Sequence, residues 1–326
     1  MEMRNNQLPP SPPGVIPALI SGFNAVASRA VVIIIPIFFD LFLWLGPRLS
    51  LYNLITPVLK EMESMPDQPQ TIVENMTLFT ELFEKFNLFS VLRTFPLGIF
   101  SLMSGGLGTQ SPLGERFILD LPSFVSFLLW MLLLTVVGWF LGCLYFYSVA
   151  RISATGTEKL PTIGSSVLQG LLLSGFWSLI WVFVSIPLVI FMGVLLLISQ
   201  TVASLVYLLI ALLVIWLSMP IFFSAHGIFV NSEHLFRSVA KSFRMMRYAL
   251  PSLGWFVIVA MVLSQGLNFL WRIPPSDSWM TLFGIFGHAF VSTALLAASF
   301  IYYRDLNIWV DAALQWMKTR TNSAQA

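Results

Sequence analysis

Long apolar runs that are nearly free of charged side chains dominate this sequence. The first, Val31–Arg48, reads VVIIIPIFFDLFLWLGPR and follows Arg29, so that an uncharged stretch interrupted only by Asp40 lies between two arginines. At about 1.5 Å of helix per residue, such a run is just long enough to cross a bilayer. Only 10% of the residues are charged and 57% are hydrophobic, whereas soluble domains carry roughly 25% charged residues. The sequence therefore predicts an all-α integral membrane protein.

The apolar runs predict a bundle of six transmembrane helices. Their approximate bounds are 30–47, 124–149, 174–198, 203–223, 253–270 and 282–303. The outer loop 49–123 contains two amphipathic segments, which predict an extracytoplasmic helical hairpin. A proline-rich tail, 1–14, is predicted to be disordered and cytoplasmic. The six-span membrane domain then covers 15–305, and 306–326 forms a cytoplasmic C-terminal helix and tail.

The distribution of charge predicts the orientation of the spans. Lysine and arginine exceed acidic residues in the segments on the side of the N-terminus, whereas acidic residues predominate on the other side. Cytoplasmic segments of membrane proteins carry this excess of basic residues. The prediction is a multi-pass protein of the cell (inner) membrane with both termini in the cytoplasm.

Three cytoplasmic segments are predicted to be amphipathic helices in the membrane interface, namely Val15–Ser28, Ile163–Leu173 and the basic segment Leu235–Leu250. The basic residues of the last are Arg237, Lys241, Arg244 and Arg247. Basic residues near anionic head groups contribute on the order of 1 kcal/mol each. These four residues are therefore predicted to contact anionic lipids at the cytoplasmic face. The alternative is that they only express the excess of positive charge expected on that side.

Asp40 is the only acidic residue inside a predicted span. An ionisable group within the bilayer is costly and invites a functional interpretation. Spans five and six add Gln265, Asn268 and His288, and the four residues form a candidate intramembrane polar site. The structural alternative is that Asp40 accepts hydrogen bonds from a neighbouring segment and has no further role.

No pattern typical of catalysis or metal binding accompanies these residues. The three histidines lie apart, without a HExxH motif or a spacing typical of metal ligands. The sequence predicts no cofactor, no metal and no enzymatic activity. The predicted partners are membrane lipids and a second protein in the membrane, not nucleic acid. Gly138 and Gly142 form a GxxxG motif, which predicts a close approach to the second span.

Three short motifs carry a family resemblance. Ala240–Arg244 reads AKSFR, Pro251 opens a span, and the last span ends in Ile301–Asp305, IYYRD. Over roughly Leu160–Asp305 the chain resembles the membrane domain of glycerophosphoryl diester phosphodiesterases and related bacterial polytopic membrane proteins. In that family the membrane domain is attached to a catalytic barrel, which has no counterpart here. The resemblance implies a six-span bundle and no phosphodiesterase activity.

Two functional classes remain open. The first is a non-enzymatic scaffold, accessory or lipid-associated envelope component. The alternative is a transporter or channel whose path is lined by the candidate polar site. Convergence of Asp40, Gln265 and His288 on one water-accessible cavity would favour transport. A hydrogen-bonded Asp40 and a bundle centre packed with leucine and phenylalanine would favour the scaffold.

Overall fold

The computed structural model describes residues 11–64, 70–105, 110–154 and 161–325. Nearly all of this chain is helical, as the sequence predicts. Helices α1 to α4 are Val15–Ser28, Ile34–Leu45, Tyr52–Glu63 and Gln70–Lys85, and helices α5 to α9 are Phe124–Ser153, Ile163–Ile198, Gln200–Asn231, Leu235–Trp271 and Thr281–Gln325. Short 3₁₀ turns cover Ala30–Ile33, Leu88–Leu92 and Met103–Gly105. Most of the predicted disordered tail lies outside the described residues.

Helices α5 to α9 are each long and apolar enough to cross a membrane. Helix α1 and the segment Ala30–Leu45 pass the same test together, but the chain bends by 93° between them. The described chain thus has five such helices, or six if the bent pair counts as one span. This confirms the all-α membrane fold, and the last five predicted spans all lie inside α5 to α9.

The helices run further than the predicted spans. The segment before the third span, Ile163–Leu173, belongs to α6. The basic segment before the fifth span opens α8 and is separated from that span by a kink. Helix α8 is kinked at Ala249, whose φ of −129° and ψ of 22° are not helical. Pro251 explains the kink, because its ring excludes the regular backbone of the preceding turn and it has no N–H to donate. Helix α9 continues through the predicted C-terminal helix.

The outer loop contains the predicted helical hairpin, formed by α3 and α4, which contact each other. It also contains four strands that the sequence analysis did not predict. Strands β1, Arg48–Ser50, and β4, Ile118–Asp120, pair in parallel, and β2, Gln110–Ser111, pairs antiparallel with β3, Gly114–Glu115. The β1–β4 pair joins the start of the loop to its end, so both ends of the insertion are fixed at one place.

The chain forms two compact units. Unit 1 comprises 1–28, 146–262 and 294–326, and unit 2 comprises 29–145 and 263–293. The core of unit 1 is aromatic and surrounds the buried His226, whose ring centroid lies 4.4 Å from that of Phe300 and 5.5 Å from that of Tyr303. The core of unit 2 is built from Ile37, Trp44, Leu102, Ile285 and Ala289.

The distal halves of α6 and α7 form an apolar hairpin within unit 1. No residue of α6 after Trp177 is buried, and between Ala203 and Pro220 the same is true of α7. The two helices contact each other, but large apolar side chains cover most of the remaining surface, including Phe183 and Leu209. A helix that is apolar all round is suited to a lipid environment.

Candidate functional site

Asp40 lies on α2 and is completely buried. Its carboxylate accepts hydrogen bonds from the hydroxyl of Ser101 and from the backbone N–H groups of Leu102, at 3.1 Å, and Met103, at 3.0 Å. These donors precede or open the 3₁₀ turn Met103–Gly105. The first N–H groups of a helical turn have no partner inside it and need an external acceptor. Asp40 therefore caps a turn that lies about sixty residues further along the chain.

Two arginines hold the same turn from other sides. Nη1 of Arg93 donates to Oγ of Ser104 at 3.2 Å, and Nη2 of Arg272 donates to the carbonyl of Leu102 at 3.2 Å. Part of the Arg93 surface is accessible, yet desolvation by the surrounding protein lowers the pKa of its guanidinium. The Arg272 charge lowers that pKa further, and the Asp40 carboxylate raises it. The turn is thus fixed between one carboxylate and two guanidinium groups.

The structure joins two of the other predicted site residues to each other. Nδ1 of His288 lies 2.7 Å from Oδ1 of Asn268. The amide oxygen can only accept, so with this amide orientation Nδ1 carries the proton. This contact links α8 to α9 within unit 2. Hydrogen bonds of this kind between apolar helices hold the helices together.

The four predicted site residues do not converge on one cavity. Gln265 and Asn268 line a cavity of about 350 Å³ together with Phe269, Arg272 and Ile273. Neither Asp40 nor His288 belongs to its lining. Asp40 instead faces the turn that it caps. The candidate polar site is therefore two separate arrangements, one a cap and the other a bond between helices that borders a cavity.

The basic residues of α8 also divide into two groups. Nζ of Lys241 lies 2.8 Å from a carboxylate oxygen of the buried Glu233, and Arg244 forms an exposed ion pair of 3.0 Å with Asp311. Arg237 and Arg247 are exposed, and neither forms an ion pair with a carboxylate in the described ranges. Arg237 and Arg247 are thus the two predicted lipid contacts without a carboxylate partner among the described residues, and the Arg247 guanidinium lies over the ring of Tyr248. The contact with lipid stays a prediction.

The face of α8 that packs inside unit 1 is made mainly of small and flexible side chains. Its buried residues up to the kink are Leu235, Ser238, Ser242, Met245, Met246 and Ala249. Phe243 and Leu250 are exposed and remain available to the membrane. Serines allow two helices to approach closely, which large side chains prevent. The interfacial position of the basic segment stays a prediction.

A tight contact around Gly227 of α7 was not predicted. A Cβ atom at Gly227 would lie 2.5 Å from Oε2 of Glu233 and 2.9 Å from the hydroxyl of Tyr303. Both of these atoms are buried and have no hydrogen-bond partner. Glycine is needed here because a side chain would displace this buried pair. Gly227 directly follows the buried His226, and no pattern in the sequence marks it.

The GxxxG motif of α5 contacts a loop, whereas such a motif predicts the close approach of another helix. A Cβ atom at Gly138 would lie 2.6 Å from the carbonyl oxygen of Leu92, and one at Gly142 would lie 2.8 Å from the backbone nitrogen of Gly98. Both neighbours belong to the irregular segment that leads to the turn capped by Asp40. The close approach exists, but the glycines contact a loop backbone and not another helix.

Three arginines of unit 2 were not singled out by sequence reasoning, namely Arg93, Arg116 and Arg272. They are far apart in the sequence, so no local pattern marks them. The described side chains contain no group of three or more His, Cys, Asp or Glu residues that could hold a metal ion. Comparison with protein-family models, curated proteins and solved structures found no match. The resemblance to the phosphodiesterase membrane domain stays a prediction.

Proposed function

We propose that this chain is a non-enzymatic membrane component, namely a scaffold, an accessory subunit or a lipid-associated envelope component. It lies in the cell (inner) membrane as a multi-pass protein with both termini in the cytoplasm. The observation that carries this proposal is the environment of Asp40. The one carboxylate within the predicted spans is completely buried and holds a turn through three hydrogen bonds.

A carboxylate that carries protons or ions must exchange its partners during each cycle. Asp40 has three protein donors, and leaving two backbone N–H groups without an acceptor would cost about 1–3 kcal/mol each. The core of unit 1 supports the same conclusion, because it is filled by aromatic rings around His226. The one carboxylate within the predicted spans is thus held by hydrogen bonds from the protein itself, which supports a scaffold.

The alternative function, transport, rests on one observation. Gln265 and Asn268 border a cavity at the end of α8, next to Arg272. A transport path along this cavity would use neither Asp40 nor the aromatic core. The two proposals therefore differ in which residues are required for function.

The test uses the full chain in a mild neutral detergent and in sealed liposomes. A scaffold predicts a stoichiometric lipid or protein retained in native mass spectrometry. It also predicts no proton or ion flux above that of protein-free liposomes. Flux that exceeds this level and is abolished by Gln265→Ala would reject the scaffold in favour of transport. Loss of flux in Asp40→Asn alone would not distinguish transport from the scaffold, because that change also disturbs the fold.

The orientation is tested separately by labelling cysteines in intact cells. The single cysteine, Cys143, is first replaced by serine. Asn53→Cys in the outer loop should then react with a membrane-impermeant thiol reagent, and Lys318→Cys should react only after the membrane is opened. The opposite pattern would reject the proposed topology.

A further inference from the structure

Unit 2 contains a cavity whose charged lining is entirely basic. We call it the arginine cavity. It measures about 380 Å³, and the described residues that line it are Leu102, Met103, Gly105, Arg116, Trp271, Arg272, Ile273, Pro274, Pro275, Ser276 and Thr281. None of them is acidic. The volume falls in the range of about 300–1,000 Å³ typical of small-molecule sites.

Arg116 is half-buried and forms no ion pair with a carboxylate among the described residues. It also lines a second cavity, which contains Glu84, Glu115 and Asp120. Its Nη1 donates to the carbonyl of Leu43 at 2.9 Å, but its Nε is buried and has no hydrogen-bond partner. Burial lowers the pKa of this guanidinium, and the positive charge of Arg48 lowers it further. A half-buried charge without a paired carboxylate favours the binding of an anion beside it.

Arg272 brings a second guanidinium to the same cavity. One of its nitrogens, Nη2, donates to the carbonyl of Leu102, and it forms no ion pair with any carboxylate among the described residues. Gly105 leaves room beside it, since a Cβ atom there would lie 3.0 Å from Nη2. The cavity thus combines two cations.

We propose that the arginine cavity binds a phosphate group. Arg116 and Arg272 both line the cavity, and planar guanidinium groups bind phosphate oxygens through paired hydrogen bonds. Arg272 supplies a second positive charge, and no acidic residue of the described lining opposes an anion. The phosphate comes either from a phospholipid head group or from a soluble phosphate compound. This inference goes beyond the proposed function and does not depend on it.

The experiment measures binding to the full chain in a neutral detergent with two probes. The first is phosphatidylglycerol, followed by native mass spectrometry, with diacylglycerol of the same acyl chains as the control without phosphate. The second is inorganic phosphate, followed by equilibrium dialysis. Binding of the first probe alone assigns the site to a lipid head group, and binding of the second shows that phosphate needs no lipid.

The variants decide whether this cavity is responsible. Arg272→Gln should weaken binding of the active probe roughly tenfold, the loss expected for a charge-assisted interaction. Arg237→Gln removes an exposed arginine of unit 1 and should leave binding unchanged. Arg116→Gln should weaken binding as well. Each of the two changes also removes one bond to a backbone carbonyl, so the decision rests on binding measured in a variant whose unfolding midpoint equals that of the wild type. Failure of both probes to bind, or equal binding by Arg272→Gln and Arg237→Gln, would overturn the proposal.

Discussion

Replacing Asp40 tests whether this residue is a structural cap. Asp40→Asn keeps the size of the side chain but replaces one acceptor oxygen by an NH₂ group. In the structure Oδ1 accepts from Ser101 and Met103, while Oδ2 accepts from Leu102. The asparagine oxygen can keep the hydrogen bonds from Ser101 and Met103, and the NH₂ group of the asparagine then faces the N–H of Leu102. Two donors point at each other in a buried site.

The magnitude follows from counting the hydrogen bonds that remain. A buried donor without an acceptor costs about 1–3 kcal/mol, so Asp40→Asn should lower the free energy of unfolding by about 2 kcal/mol. Asp40→Ala leaves both backbone N–H groups unpaired and opens a cavity, and should cost about 4 kcal/mol. Ser101→Ala removes one donor only, although Oγ of Ser101 also accepts from Ser104, and should cost about 1–2 kcal/mol.

Cys143 provides the assay. It is the only cysteine of the chain and is completely buried, so a thiol-reactive fluorescent dye reports unfolding as the thiol becomes accessible. Thermal unfolding in detergent should rank the proteins as wild type, Ser101→Ala, Asp40→Asn and Asp40→Ala, in order of falling midpoint. Gln265→Ala serves as the control and should unfold like the wild type. An unfolding midpoint of Asp40→Ala equal to that of the wild type would refute the capping role.

Two further changes test other contacts with the same dye assay. Gly142→Val should destabilise the protein by about 1–3 kcal/mol, because a side chain there meets loop backbone that cannot move aside. Gly175→Ala is the control, because Gly175 has open space around it, and should be neutral or stabilising. Equal effects of the two changes would show that the loop is not held against α5. Lys241→Gln should lower the free energy of unfolding by about 2–4 kcal/mol, because it leaves the buried Glu233 without its partner. Arg237→Gln, at an exposed position, should change stability by less than about 0.5 kcal/mol. A stable Lys241→Gln protein with weakened binding of anionic lipid would instead support the lipid contact predicted from the sequence.

The sequence was sufficient to predict the long helices because long apolar runs have few structural solutions in a membrane. It was not sufficient for the partners of Asp40, which lie in the segment 101–103. Nor did it indicate that Arg48–Ser50 pairs with Ile118–Asp120, because strands this short have no pattern of their own. Both are contacts between segments that lie about sixty to seventy residues apart in the sequence. Hydrophobic periodicity describes one segment at a time and carries no information about such pairs.

Apolarity also fails to indicate which span is buried. Helix α6 contains the most apolar stretch of the five long helices, and none of that stretch is buried, whereas in α9, the least apolar, the corresponding stretch is 83% buried. Most of the buried residues of α9 between 288 and 299 have small side chains, namely Ala289, Ser292, Thr293, Ala294, Ala297, Ala298 and Ser299, and the other three are His288, Leu295 and Leu296.

The physical reason is that lipid tails are as apolar as leucine, so burying a leucine between helices gains little in a membrane. Close packing and hydrogen bonds between helices gain more, and both require small or weakly polar side chains. Gly22 of α1 shows how close the packing on α9 becomes, since a Cβ atom there would lie 2.5 Å from the backbone nitrogen of Ala298. For a chain of this kind, the span richest in alanine, serine and threonine is therefore the better prediction of the core, and the most apolar spans are those that face lipid.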